Sequence, residues 1–162
     1  MKDKKIYIAS GLLRITLGSI FLWAFLDKLF GFGFSTIPEK SWLAGNSPTF
    51  GFLSNNKGVF SSWFQSLAGS GLVDWLFMMG LLGIGLALIF GIGMKIAVYS
   101  GSLLMFLMWL ANLPLKNHPF VDDHIIYILV LWVLYFLEAG KHFGFGNWWS
   151  RTKLVKKMDF LE

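Results

Sequence analysis

Two stretches of this chain are too long and too apolar to sit in water. Val73 to Ile92 is marred near its start by Asp74, and Ile96 to Leu113 carries no charge at all. A membrane-crossing helix needs roughly 20 mostly apolar residues. A third run precedes them, Ile6 to Phe30, interrupted by Arg14 and by the adjacent pair Asp27-Lys28. A last one, Ile125 to Leu137, is short at 13 residues. Pro119 suits a first helical position, and counting from there to Glu138 restores about 20 residues. The composition agrees, with 14% charged residues where a soluble domain carries about 25%. The expected fold class is therefore an all-α integral membrane protein. It would be a four-transmembrane-helix bundle over 6–30, 73–92, 96–113 and 119–138, with a long structured loop at 31–71 and a basic cytoplasmic tail at 141–162.

A cleaved signal peptide fits the first run poorly, because a typical signal core has about 7–15 residues and is followed by a small-x-small site. Four crossings put both termini on one side. That side collects nine lysines and arginines: Lys2, Lys4, Lys5, Lys95, Lys141, Arg151, Lys153, Lys156 and Lys157. Lys28, Lys40, Lys57 and Lys116 fall on the other. By the positive-inside rule both termini are cytoplasmic, which predicts a multi-pass protein of the cell (inner or plasma) membrane. The net charge of +5 lies mostly in the tail "SRTKLVKKMDFLE", which suits topology and lipid contact and interleaves too few aromatics for nucleic acid.

The connection from Gly31 to Gly71 is far longer than an ordinary loop. It holds start and stop signals at Thr36 with Pro38-Glu39, at Gly45, and at Ser47-Pro48. "VFSSWFQSLAG" reads as a short interfacial helix. Trp42, Phe50, Phe52, Phe60, Trp63 and Phe64 are too many aromatics for a solvated loop, so a lid across the outer mouth is expected. Gly80, Gly83 and Ala87, and Ser100, Gly101 and Ser102, are stripes of small residues that let membrane helices approach.

The chain has no cysteine, which excludes disulfides, iron–sulfur clusters and thiolate chemistry. His118, His124 and His142 are its only histidines. His124 and His142 would lie about 27 Å apart along one helix, so neither haem nor another metal is expected. The charged residues within the apolar runs are the informative ones. Arg14 shares a helical face with Ser10, Gly18, Phe21, Phe25 and Lys28, and that face should point inward, because charge facing lipid is costly. Its expected partner is Glu138, in a structural ion pair. At the other end, Asp27, Lys28, Asp74, Asn112, Asp122, Asp123 and His124 come to one level. Carboxylates at a helix start complement its dipole; Lys28 and His124 have no such reason. This predicts a polar pocket in which Lys28 binds an anion or a carbonyl oxygen, while His124 relays protons with Asp27 or Asp123.

"LLRITLGSIFLWAFLDKLFGFGFST", "WLAGNSPTFGFL", "GLLGIGLALIFGIGMKIAVYSGSLLMFLMWLA" and "PFVDDHIIYILVLWVL" together resemble the DoxX superfamily, over roughly Leu12 to Leu137. Within it the chain looks most like the DoxD-like small subunits of thiosulfate:quinone oxidoreductases. That resemblance implies a membrane bundle acting with a second subunit, in an enzyme that passes electrons from thiosulfate to membrane quinone and forms tetrathionate. Quinone is then the cofactor; the resemblance carries no site residue over, and the residues themselves offer Trp23, Trp42 and Asn112 as candidate contacts, with Lys28 and His124 for its oxygens. The alternatives are a small anion transporter using Lys28 and Arg14 as stepping stones, and a non-enzymatic scaffold that holds a soluble redox protein at the membrane; a homo-oligomer is the alternative to a second subunit.

Overall fold

The structure, a computed structural model, describes residues 2–115 and 117–161. In chain order it forms α1 (Lys2–Phe30), a 3-10 turn at Pro38–Lys40, α2 (Phe50–Ser54), α3 (Ser61–Ser66), α4 (Gly71–Phe90), α5 (Met94–Ala111), α6 (Asp123–Phe136), α7 (Gly146–Trp149) and α8 (Lys153–Lys157). There is no strand among the described residues. Three helices, α1, α4 and α5, are long and apolar enough to cross a membrane; α6 is apolar but has 14 residues.

The four longer helices alternate in direction. Gly18 of α1 meets Leu88 and Ile89 of α4, whereas Leu22 meets Gly85, so the two helices run antiparallel. α4 lies between α1 and α5, α6 packs on α5, and α1 touches α6 only sparingly. A buried spine runs through all four: Leu17, Phe21 and Phe25, then Met78, Leu81, Ile84 and Leu88, then Val98 and Met105, then Leu131 and Leu134. α1 and α4 approach closely because Gly18 and Gly85 have no side chain. A Cβ at Gly18 would stand 2.8 Å from Leu88 Cβ, and one at Gly85 would stand 2.8 Å from the backbone nitrogen of Leu22. The expected stripe on α4 plays no such part, since a Cβ at Gly80 or Gly83 meets nothing within 4 Å.

α6 does not start at Pro119. The ring nitrogen Nδ1 of His118 accepts from the backbone N–H groups of Phe120 (3.1 Å) and Val121 (2.9 Å), and Trp109 Nε1 donates to the Phe120 carbonyl at 3.0 Å. Those residues are thereby held in a turn. The helix begins only after Asp122, whose carboxylate accepts from the N–H groups of His124 and Ile125 and caps it.

The end of the molecule that carries both termini is organised by Arg14, which is fully buried. The ion pair expected with Glu138 is not formed. Nε donates to Ala139 O (3.0 Å), Nη1 to Leu88 O and Ile89 O (2.9 Å), and Nη2 to His142 O (2.9 Å) and Phe143 O (3.0 Å). All five N–H donors of the guanidinium are spent on backbone carbonyls. Glu138 instead takes Lys141 at 2.6 Å, at the surface. The reason lies in supply: α4 ends here with carbonyls lacking intrahelical donors, and the turn after α6 adds those of His142 and Phe143, with Ala139 O shared with the N–H of His142. Glycines make room for the knot, since a Cβ at Gly91 would lie 2.5 Å from Gly140 O, and one at Gly144 would lie 2.8 Å from Arg14 Nη2.

Candidate functional site

At the opposite end, the segment between α1 and α4 folds over the helix ends and is tied down by two carboxylates. Asp27, almost wholly buried, accepts from Phe34 N (3.3 Å), Ser35 N (2.9 Å) and Ser35 Oγ (2.6 Å). Asp74, in the first turn of α4, accepts from Ser47 Oγ (2.8 Å), Thr49 N (3.3 Å) and Thr49 Oγ1 (2.5 Å). A third tie comes from Asn56, whose amide donates to Ala111 O at the end of α5, 2.6 Å away. The bonds to the two carboxylates are charge-assisted and among the stronger ones available to a loop.

Beneath this cover lies a cavity of about 530 Å³. The cover supplies Phe52, Trp63 and Phe64; α4 supplies Phe77, Gly80 and Ile84; α5 supplies Ser100, Leu103 and Leu107. Lys28 is the only charged residue among those described that line it. Its ammonium lies 5.9 Å from the centre of the Phe77 ring, within cation–π range. Among the described residues no hydrogen bond or ion pair engages it. Asp27 is its sequence neighbour, but successive side chains diverge by about 100° around a helix, so one turns to the loop and the other to the cavity. A cation in apolar surroundings is expensive to keep without a partner. The site therefore favours a ligand that brings an acceptor oxygen or a negative charge.

The remaining candidates are not gathered there. His124 Nδ1 lies 2.8 Å from Asp122 Oδ2, so its carboxylate partner is Asp122, and the pair does not line the cavity. Asp123 is exposed, and the acceptor oxygens of Asp27 are occupied by the loop. The relay expected from His124 with Asp27 or Asp123 is thus not assembled. Trp23 stacks on Phe32 outside the bundle, Trp42 packs edge-on against Trp75, and Asn112 is exposed at the end of α5. None of the three lines the cavity. Sequence reasoning missed Phe77, Gly80 and Ser100. Phe77 has a readable signal, since it lies one turn beyond Asp74 on the same face, while Gly80 belongs to a stripe of small residues that reads as helix packing.

Among the described residues no three His, Cys, Asp or Glu side chains are grouped so as to hold a metal ion. The cavity does suit an aromatic, oxygen-bearing ring: its walls are apolar and aromatic, and its single ammonium is free to donate. No protein-family model, curated protein or solved structure matches the chain.

Proposed function

We propose that the chain is the membrane subunit of a quinone-linked oxidoreductase, oxidising thiosulfate or a similar small sulfur compound together with a second subunit. The observation that carries this reading is the apolar, aromatic-walled cavity with one ammonium, at Lys28, that faces the Phe77 ring and makes no hydrogen bond or ion pair among the described residues. The resemblance to the DoxX superfamily supplies the donor. Two thiosulfates lose two electrons in forming tetrathionate, and the quinone takes up those electrons with two protons to become the quinol. In this reading Lys28 donates to a ring oxygen and steadies negative charge as it develops there, in a site of low dielectric. Phe77 and Trp63 hold the ring, and the cover excludes water.

The same reading places α6 as a fourth crossing, with both termini in the cytoplasm of a cell-membrane protein. Its support is that α6 starts beside Trp109 at the covered end and leads directly into the carbonyls held by Arg14 at the other. The transporter alternative is disfavoured by the same arginine, which has no donor left for a passing anion.

The test is thiosulfate-dependent reduction of a short-chain quinone by protein purified in native lipid with the chains that accompany it. A charged hydrogen bond is worth about 1.5–3 kcal/mol, so Lys28→Met should lower the rate about tenfold or more while leaving the fold intact. An undiminished rate would remove the cavity from the reaction. No reduction by either protein, with the second subunit present, would leave a scaffold.

A further inference from the structure

The cavity is larger than a ring requires, and part of its lining runs along the apolar faces of α4 and α5. An apolar cavity of about 150 Å³ holds one benzene, whereas this one measures about 530 Å³. More than half of it remains once a substituted six-membered ring is seated. Its lining runs down α4 from Phe77 past Gly80 to Ile84, about 10 Å along the axis. Leu76 and Leu103 line this stretch, yet they are 65% and 60% exposed on the outer surface of the bundle. The cavity is therefore a cleft that opens onto the outer surface between α4 and α5, where Gly80 contributes no side chain to its rim. A Cβ built at Gly80 meets no atom within 4 Å. No neighbouring helix needs that glycine, in contrast to Gly18 and Gly85.

We infer that the ligand is a ring carrying a long apolar chain, with its head at Lys28 and its chain leaving between α4 and α5 across Gly80 into the lipid. Gly80 is then a specificity-determining residue: its missing side chain is the channel for the tail. This rests on the quinone reading for the head group and on the shape of the cavity for the tail. A tail moved from lipid into an apolar groove gains little free energy, because both surroundings are apolar. The mark of the channel is accordingly steric selectivity, not extra affinity.

The experiment measures equilibrium binding of radiolabelled probes to the full chain in lipid nanodiscs, corrected for empty discs and expressed per lipid. The probes are a tailless methoxyquinone, the same ring with a decyl tail, and decanoate, which has a chain and an anionic head but no ring. Wild type should bind both quinones, and Gly80→Phe should lose at least about tenfold more affinity for the tailed quinone than for the tailless one. Unchanged melting of Gly80→Phe checks that the helix tolerates the ring. Equal losses for the two quinones, or none, would overturn the channel and leave the quinone reading standing. If neither quinone binds wild type, but decanoate does and Gly80→Phe abolishes that, the channel stands and the quinone reading falls. If no probe binds wild type, both fall.

Discussion

Arg14 shows what one buried charge can hold together. Its guanidinium satisfies carbonyls from the end of α4 and from the turn after α6, so it joins two segments that are far apart in sequence. Replacing it with methionine leaves four acceptors without a donor, since of the five only Ala139 O keeps another, the N–H of His142. One buried unsatisfied group costs about 1–3 kcal/mol, so Arg14→Met should destabilise the protein by at least about 4 kcal/mol, read as a large fall in the thermal midpoint of the purified protein. Arg14→Lys should recover little, because an ammonium presents its donors from one point while the guanidinium spreads them in a fork. Glu138→Gly should do the reverse. Glu138 is exposed and sits at φ 50°, in the left-handed region that favours glycine. The change removes a surface pair worth about 0–1 kcal/mol, so the midpoint should hold or rise. Equal damage from both substitutions would restore Glu138 as the partner of Arg14. The inward orientation of Arg14 was legible from its spacing with Ser10, Gly18 and Phe21. Its partners were not, because a backbone carbonyl belongs to every residue and leaves no mark in the sequence. Only the glycines of "GIG" and "AGKHFGFG" hinted that backbone comes close there.

Among the elements, α6 departs furthest from a reading by length. The apolar run is short, and residues 119–121 are held in the turn closed by His118 and Trp109, so the helix starts only after its Asp122 cap. Fourteen helical residues span about 21 Å, against a hydrocarbon core of about 30 Å. On the proposed four-crossing topology, flanking residues make up the difference or the bilayer thins locally, at a modest cost. Sequence also misassigned the close contacts. Small residues were visible on α4, but the period alone did not say which face met α1; Gly85 packs and Gly83 does not. Whether α6 crosses can be checked cleanly, because the chain has no cysteine of its own. Single cysteines at Lys57, Asn117 and Lys153 should divide two to one. The first two should react with an impermeant thiol reagent on intact cells, and Lys153→Cys only after permeabilisation. If Lys153→Cys labels along with the others, α6 turns back and the termini lie on opposite sides.

At the scale of the whole molecule, the cover and the cavity are one construction. Phe52, Trp63 and Phe64 are walls of the cavity, but they belong to a segment with little apolar interior of its own, Leu53 and Phe64 being its buried apolar side chains. What keeps them in place is polar: Asp27 at the end of α1 and Asp74 at the start of α4, each accepting three hydrogen bonds from the segment. The juxtaposition of Asp27 and Lys28 follows from this division of labour, with one residue fastening the cover and the next facing what it encloses. Hydrogen bonds to charged groups contribute about 1.5–3 kcal/mol. Removing both anchors should therefore raise the open population of the cover by about a hundredfold or more, and cleavage of a transiently opened segment tracks that population. In Asp27→Ala/Asp74→Ala, chymotrypsin should cut between residues 31 and 70 at least about tenfold faster than in wild type, with helix content unchanged. Binding of the tailless quinone should weaken in parallel, although neither carboxylate lines the cavity. Faster cleavage with undiminished binding would mean that the ring is held by α1, α4 and α5 alone, and that the aromatic side chains of the cover serve only to meet the membrane interface.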